Sequence, residues 1–308
     1  MKKDFLAISD YTSEEIQNIL DLAINLKKEY FASGNLPLLQ NKVLAMLFSK
    51  PSLRTRISFD MAMRQLGGDA LFISPDEIGL GKRESIADVA RVLAGYVSAI
   101  MARVFEHQQV LELAKWADIP VINGLSDYNH PCQAMADLLT IYEHFGALKG
   151  LKVTFLGDGN NVAVSLMHAC SKLGMNFCIA SPDGYDIVPE AISMAKEFSK
   201  ISGSKLQFLR DPNEAVKDVD VVYSDTWTSM GQEAETKKRE LVFPPYQVNT
   251  IIMGFAKPSA IFMHCLPAHR GQEVTGEVAD GPQSVIFQQA HNRLHAQKAI
   301  LVKLLKED

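Results

Sequence analysis

The sequence predicts an α/β protein of two domains, each a parallel sheet flanked by helices. Its 308 residues, 47% of them hydrophobic, are enough for two cores of ordinary size. Short β-rich runs alternate with segments of helical period, the pattern of βαβ units. The runs fall into two groups of four, separated by the amphipathic stretch HPCQAMADLLTIYEHFGALKG. The expected domains are residues 1–148 and 149–287, followed by a periodic helical segment over about 288–305.

In chain order, the first helix is expected in TSEEIQNILDLAINL, where Thr12 and Glu15 can form a capping box. Ile16, Ile19, Leu20, Ala23 and Leu26 share one face of it. The strands of the first half are KVLAMLF, ALFIS, SAIMARVF and IPVING; those of the second are KVTFLG, FCIAS, VDVVYSD and AIFMHCL. After the first strand, Phe59, Ala62, Met63 and Leu66 follow helical spacing until Gly67-Gly68 ends the helix. Pro131 is placed to begin another helix, and GQEAETKKRE reads as a solvated, mobile segment.

The formal charge of −5 argues against a nucleic-acid or anionic-membrane partner, so an anion must be bound locally. The N-terminus lacks an apolar signal region and no run is long enough to span a membrane, so a cytoplasmic protein is expected. Cys132, Cys170, Cys178 and Cys265 have no CxxC spacing, which points to neither a zinc site nor a redox pair. Cys170 and Cys178 read as buried thiols.

Open α/β sheets bind ligands beyond the carboxyl ends of their strands. The stretch FSKPSLRTRISF turns from a strand into a helix there. Ser52 is a natural N-cap, and the unpaired N–H groups and helix dipole favour an anion, phosphate or carboxylate. Arg54 and Thr55 add a charged fork and a hydroxyl. Cationic residues at a helix N-terminus oppose the dipole unless an anion is present. The glycines and lysine of a Walker A loop are missing.

GDGNN also joins a strand to a helix, but Val162 stands where a dinucleotide fingerprint needs its third glycine. Asn160 and Asn161 can hold a zwitterionic ligand or serve as turn and cap residues. In DYNHPCQ, His130 and Gln133 can both address a carbonyl oxygen. Asp225, following VDVVYS, can pair with an ammonium group or cap a helix. His264 and Cys265 are adjacent strand residues and point to opposite faces, which disfavours a direct thiolate–imidazole pair.

Taken in order, SxRTR, HPCQ, GDGNN, DxWxSMGQE and HCLP resemble the carbamoyltransferase family, and most closely its ornithine carbamoyltransferases. The resemblance extends from the first helix to NRLHAQKAIL. It implies a carbamoyl-phosphate domain, an ornithine domain, a last helix (about 288–308) returning to the first domain, and a homotrimer or assembly of trimers with active sites between neighbouring subunits. Carried over by motif, Ser52, Leu53, Arg54, Thr55 and Arg103 bind the phosphate. Arg103, His130, Gln133 and Arg293 surround the carbamoyl group, with Cys265 and the Leu266 backbone beside the reacting amine. Asn161, Asp225, Ser229 and Met230 take the amino-acid end of ornithine. Arg54, Arg103, His130 and Cys265 are the expected catalytic residues.

Two departures stand out. Gly79 occupies a position where many relatives carry the glutamine that reaches a neighbouring site, leaving Lys82 as the substitute, and Leu53 replaces the commoner threonine. The implied reaction is attack of the ornithine side-chain amine on the carbamoyl carbon, giving citrulline and phosphate without metal or organic cofactor. The amine must be neutral; at pH 7 this costs about 4.6 kcal/mol if its pKa resembles that of lysine. A partly apolar pocket near Cys265 and Leu266 is expected to select that form. Another acceptor amine, such as putrescine or an acylated ornithine, and a non-catalytic anion-binding protein are the alternatives.

Overall fold

The computed structural model describes residues 2–81, 84–229 and 233–306. The chain divides into two compact units, Met1–Leu139 with His291–Asp308, and Thr140–Ala290.

The first unit carries a four-stranded parallel sheet of β1 (Val43–Phe48), β2 (Asp69–Ile73), β3 (Ala99–Arg103) and β4 (Val121–Leu125). Its helices are α1 (Ser13–Ser33), α2 (Leu53–Gln65), α3 (Pro75–Ile78), α4 (Ile86–Ala94), α5 (His107–Trp116) and the start of α6 (Pro131–Phe145). Thr12 and Glu15 close the expected capping box on α1, and the five expected residues of its apolar face are buried. Leu47, Val89, Ile100, Val104, Leu113 and Val121 belong to a core that β1, β3 and β4 share with the covering helices.

The strand order is β2-β1-β3-β4. The chain therefore moves to one side of β1 and then returns to its other side, so the loops after β1 and β3 part company. Such a switch point leaves a crevice at the strand ends. Ser52–Thr55 follow β1, and Arg103 ends β3 where a register shift interrupts pairing with β4. Bulges of this kind re-aim a side chain.

The second unit has β5 (Lys152–Leu156), β6 (Asn176–Ala180), β7 (Leu206–Leu209), β8 (Val221–Ser224) and β9 (Ile261–His264), in the parallel order β7-β6-β5-β8-β9. Helices α7 (Asn161–Leu173), α8 (Pro189–Ser202), α9 (Pro212–Ala215), α10 (Thr236–Val242), α11 (Thr250–Phe255) and α12 (Gly276–Ala279) accompany it. The switch point lies between β5 and β8, ahead of GDGNN and Asp225. Leu156, Val222, Val248, Met253 and Phe262 form part of its core. The chain then enters α13 (Ile286–Leu305), which passes into the first unit at His291.

Two sequence expectations are corrected. The second sheet has five strands: β7, four residues with a partly exposed edge, lacks the continuous β-branched run that marks a central strand. The α6 stretch is not amphipathic in burial, because Pro131 through Ile141 are buried on every side. Its polar residues Gln133 and Asp137 are one turn apart and bond to each other, Gln133 Nε2 donating to Asp137 Oδ1 at 2.9 Å. Among the described residues no helix is long and apolar enough to cross a membrane.

Candidate active site

The first unit gathers cations around a turn and a histidine. Ser52 caps α2 in extended backbone, its Oγ accepting from the Thr55 N–H at 3.3 Å and donating to Thr55 Oγ1 at 3.1 Å. Thr55 is fully buried and its Oγ1 also accepts from Arg293 Nη2 at 2.9 Å. Arg103, His130, Gln133 and Arg293 are all buried, and Arg54 is half-buried.

Burial drives the His130 imidazole well below its ordinary pKa, and Arg293, Arg103, Lys50 and Arg54 push it in the same direction. His130 is therefore neutral at pH 7, within the field of four cations. Concentrating positive charge in a desolvated corner is costly unless an anion enters. Gln133 Oε1 is buried with no hydrogen-bond partner among the described residues.

Not every residue of the stretch joins this corner. Arg56 is exposed and its guanidinium lies over the Phe72 ring at 4.0 Å, a surface cation–π contact. The Leu53 side chain is 76% exposed and so takes no part in the buried corner. Lys50, buried and over the Phe105 ring at 4.7 Å, was missed by motif reading.

In the second unit, Asp225 follows β8 and is buried. Asp225 Oδ2 accepts from Asn160 Nδ2 at 2.8 Å; Oδ1 accepts from the Thr226 N–H at 2.8 Å and from Cys265 Sγ at 2.9 Å. Asn160 is also the α7 N-cap, with Oδ1 accepting from the N–H groups of Val162 and Ala163. Gly159 permits this tight turn, since a Cβ there would meet the Ile187 nitrogen at 2.2 Å.

His264 and Cys265 turn to different partners. His264 Nδ1 accepts from the Leu266 N–H at 2.9 Å, which puts the imidazole proton on Nε2, 3.2 Å from Glu273 Oε1. Burial acts to raise the Glu273 carboxyl, but hydrogen bonds from His264 and the His269 N–H outweigh it and hold it below its usual range. Leu266 itself has φ 60°, a left-handed conformation that costs a non-glycine residue ~1–2 kcal/mol and is steadied by the His264 bond.

Donor atoms of Asp225, His264 and Cys265 lie within 4.8 Å of one another, close enough to consider a metal. As arranged, both His264 nitrogens face Leu266 and Glu273, and the Cys265 thiol is directed at Asp225, so the trio does not form an open cage. Burial pushes the Cys132 thiol up to about 12 and the Cys178 thiol up to about 11, whereas Cys265 is partly exposed.

Both halves match models of a single family. Residues 3–143 match the carbamoyl-P binding domain, and residues 149–304 the Asp/Orn binding domain, of aspartate/ornithine carbamoyltransferase. The chain belongs to the aspartate/ornithine carbamoyltransferase family. An ornithine carbamoyltransferase of Bacillus subtilis is 56% identical over 98% of this chain and 94% of its own length. An anabolic ornithine carbamoyltransferase of Pyrococcus furiosus is 52% identical over 98% of this chain and 96% of its own. A solved ornithine carbamoyltransferase structure from Pyrococcus furiosus aligns with TM-score 0.96, covering 99% of this chain and 97% of that one.

Among the residues that the carbamoyltransferase motifs single out, Ser52, Arg54, Thr55, Arg103, His130, Gln133 and Arg293 lie in the first unit, around the β1–β3 switch point and α13. Asn161, Asp225, Ser229, Cys265 and Leu266 lie in the second. Asn160 rather than Asn161 makes the bond to Asp225, while Asn161 opens α7. Met230 and Lys82 lie outside the described residues. Gly79 caps α3 at φ 47°. Glu273 and Arg239 were invisible to motif reading. Arg239, in the segment expected to be solvated, is only 4% exposed.

Proposed function

We propose that this family member transfers the carbamoyl group of carbamoyl phosphate to the side-chain amine of L-ornithine, giving L-citrulline and phosphate. Residues 1–148 with the last helix form the carbamoyl-phosphate domain, and 149–287 the ornithine domain. The observation that carries the reading is the set of Lys50, Arg54, Arg103 and Arg293 about a neutral His130. That concentration of positive charge suits a dianion, and the neutral imidazole can hydrogen-bond a carbonyl.

Arg54, Arg103, Thr55, Ser52 and the Leu53 N–H hold the phosphate, with arginine forks fixing its geometry. His130 and Arg103 hydrogen-bond the carbamoyl oxygen, and Arg293 completes the binding of that group. Gln133 Oε1, whose amide nitrogen is already committed to Asp137, accepts from the carbamoyl NH2. These donors strengthen as negative charge develops on the oxygen during attack. The amine nitrogen bonds to the carbamoyl carbon, the tetrahedral oxyanion collapses, the carbon–oxygen bond to phosphate breaks, and the proton shed by the nitrogen passes to the departing phosphate, which leaves as the hydrogen-phosphate dianion.

Asp225 pairs with the α-ammonium of ornithine, with Asn161, Ser229 and Met230 completing the contacts to its amino-acid end. Cys265 and the Leu266 carbonyl orient the reacting amine. The His264–Glu273 pair supports this through the Leu266 backbone. No metal or organic cofactor takes part. The protein acts in the cytoplasm, and the anabolic name of the Pyrococcus furiosus relative favours arginine biosynthesis.

A homotrimer, or an assembly of trimers, is the proposed assembly. Leu53, Ile57 and Met61, four residues apart on α2, are 76%, 48% and 37% exposed, an apolar stripe suited to a second copy. Light scattering on wild type and Ile57→Asp checks this. A colorimetric citrulline assay with ornithine, putrescine and aspartate tests the activity: ornithine is expected to be used by far the best, and preference for another amine overturns the assignment.

A further inference from the structure

Arg239 is a buried cation that the proposed chemistry does not use. Its Nη1 donates to Asp158 Oδ2 at 2.5 Å and to the Trp227 carbonyl at 2.8 Å, and its Nε donates to Glu235 Oε2 at 3.0 Å. The guanidinium lies 4.8 Å from the Tyr185 ring centroid and 5.7 Å from that of Phe243. Such a group is planar, always charged and able to donate in several directions at once, which lysine cannot reproduce.

The partners decide what it does. Asp158 sits in the turn after β5, two residues before Asn160, which holds Asp225 Oδ2. Trp227 lies two residues beyond Asp225, after β8. β5 and β8 are paired neighbours, Leu156 opposite Ser224, and the switch point lies between them. One guanidinium thus ties together the two loops that diverge from that point.

The charges are arranged as purposefully as the backbone. Asp158 and Asp225 are close enough for Asp225 to act on the Asp158 carboxyl, which burial pushes up while Arg239 opposes the rise. With Arg239 against Asp158, that negative charge is balanced inside the protein, and Asp225 is left to answer an incoming ammonium. Without Arg239, a second, largely buried carboxylate either repels Asp225 or takes up a proton.

We propose that Arg239 is a positioning residue for ornithine, setting the spacing between the Asp158–Asn160 turn and the Asp225–Trp227 segment while balancing the charge of Asp158. This rests on the assignment of Asp225 to ornithine made above.

The test is steady-state citrulline formation by Arg239→Lys, Arg239→Met, Asp158→Asn and the Arg239→Met/Asp158→Asn double variant, with each substrate varied in turn and thermal unfolding measured alongside. Arg239→Met is expected to raise KM for ornithine by about ten- to hundredfold while leaving KM for carbamoyl phosphate within about twofold. The double variant should recover part of the ornithine KM, because the unbalanced carboxylate is gone; a purely structural role would make it worse. Arg239→Lys keeps the charge without the fork and supplies a milder variant should methionine prevent folding. Its KM for ornithine is expected to rise less. An unchanged ornithine KM in a folded variant, or equal rises for both substrates, overturns the role of Arg239 while wild-type citrulline formation upholds the activity. Failure of the wild type to make citrulline from ornithine overturns both.

Discussion

Arg293 Nη2 donates to Thr55 Oγ1 at 2.9 Å, joining residues 238 apart in the sequence. The last helix thereby fixes the hydroxyl that Ser52 also contacts, so the anion corner depends on the chain's return to the first unit. Arg293→Met should raise KM for carbamoyl phosphate about ten- to hundredfold, corresponding to ~1.5–3 kcal/mol for a charged hydrogen bond. Thr55→Val should lose part of the same interaction. The double variant should fall short of the sum, as expected for residues in contact, and kinetics with saturating ornithine checks this.

Arg54 serves at the same turn, where geometry matters as much as charge. On the phosphate-binding role proposed above, Arg54→Lys retains a cation but cannot make the two parallel hydrogen bonds that a guanidinium offers a phosphate. We expect kcat to fall about 10²–10³-fold, the range seen when a donor to developing negative charge is removed. Near-wild-type steady-state turnover would take Arg54 out of the catalytic set.

The local part of this architecture was legible in the sequence. Ser52 capping α2 and Thr12 capping α1 involve partners three residues away, and caps are written in adjacent residues. The strand runs bordering both switch points were readable because parallel strands are continuously apolar. The bond from Arg293 to Thr55 was not, since spacing carries no information over such a distance. Motif likeness alone brought Arg293 forward. Arg239 was hidden for a different reason: KKRE has the composition of a solvated helix, and only the fold reveals that Asp158 and two aromatic rings enclose its arginine. The polar residues of α6 misled in the same way, because a stripe that normally faces water here lies beside His130.

His130 gives the protein an acid sensitivity with a definite sign. Burial first, and then four cations, lower its folded pKa below the unfolded value of ~6.5, so the unfolded chain takes up the proton more readily. Its contribution to stability is therefore fully present above about pH 6.5 and is lost below it, at up to ~1.4 kcal/mol per pH unit. His168 and His107, both lowered chiefly by burial, act in the same direction. Urea unfolding between pH 7.5 and 5.5 should show a steeper loss for wild type than for His130→Gln.

On the assignment of Asp225 to ornithine proposed above, its substitution should separate recognition of the two substrates. Its carboxylate is already held by Asn160, Thr226 and Cys265, so Asp225→Asn preserves much of the shape while removing the charge. KM for ornithine should rise by about tenfold or more, since a hydrogen bond to a charged group contributes ~1.5–3 kcal/mol. Binding of carbamoyl phosphate should be nearly unchanged. Equal loss of both substrates, measured by calorimetry and kinetics, would assign Asp225 a structural role.

The reacting nitrogen of ornithine is an ammonium in water near pH 7, and only its minor neutral form is a nucleophile. Asp225 is already assigned to the α-ammonium, and Cys265 approaches that carboxylate with its thiol at 2.9 Å, so neither is placed to act as a strong base toward the side-chain amine. If the neutral form is selected from solution, its abundance governs the rate. With an amine pKa of ~10.4, kcat/KM for ornithine should climb about tenfold per pH unit through neutrality. A profile that is flat between pH 7 and 8.5 would mean that the protein removes the proton itself and would overturn selection of the neutral amine.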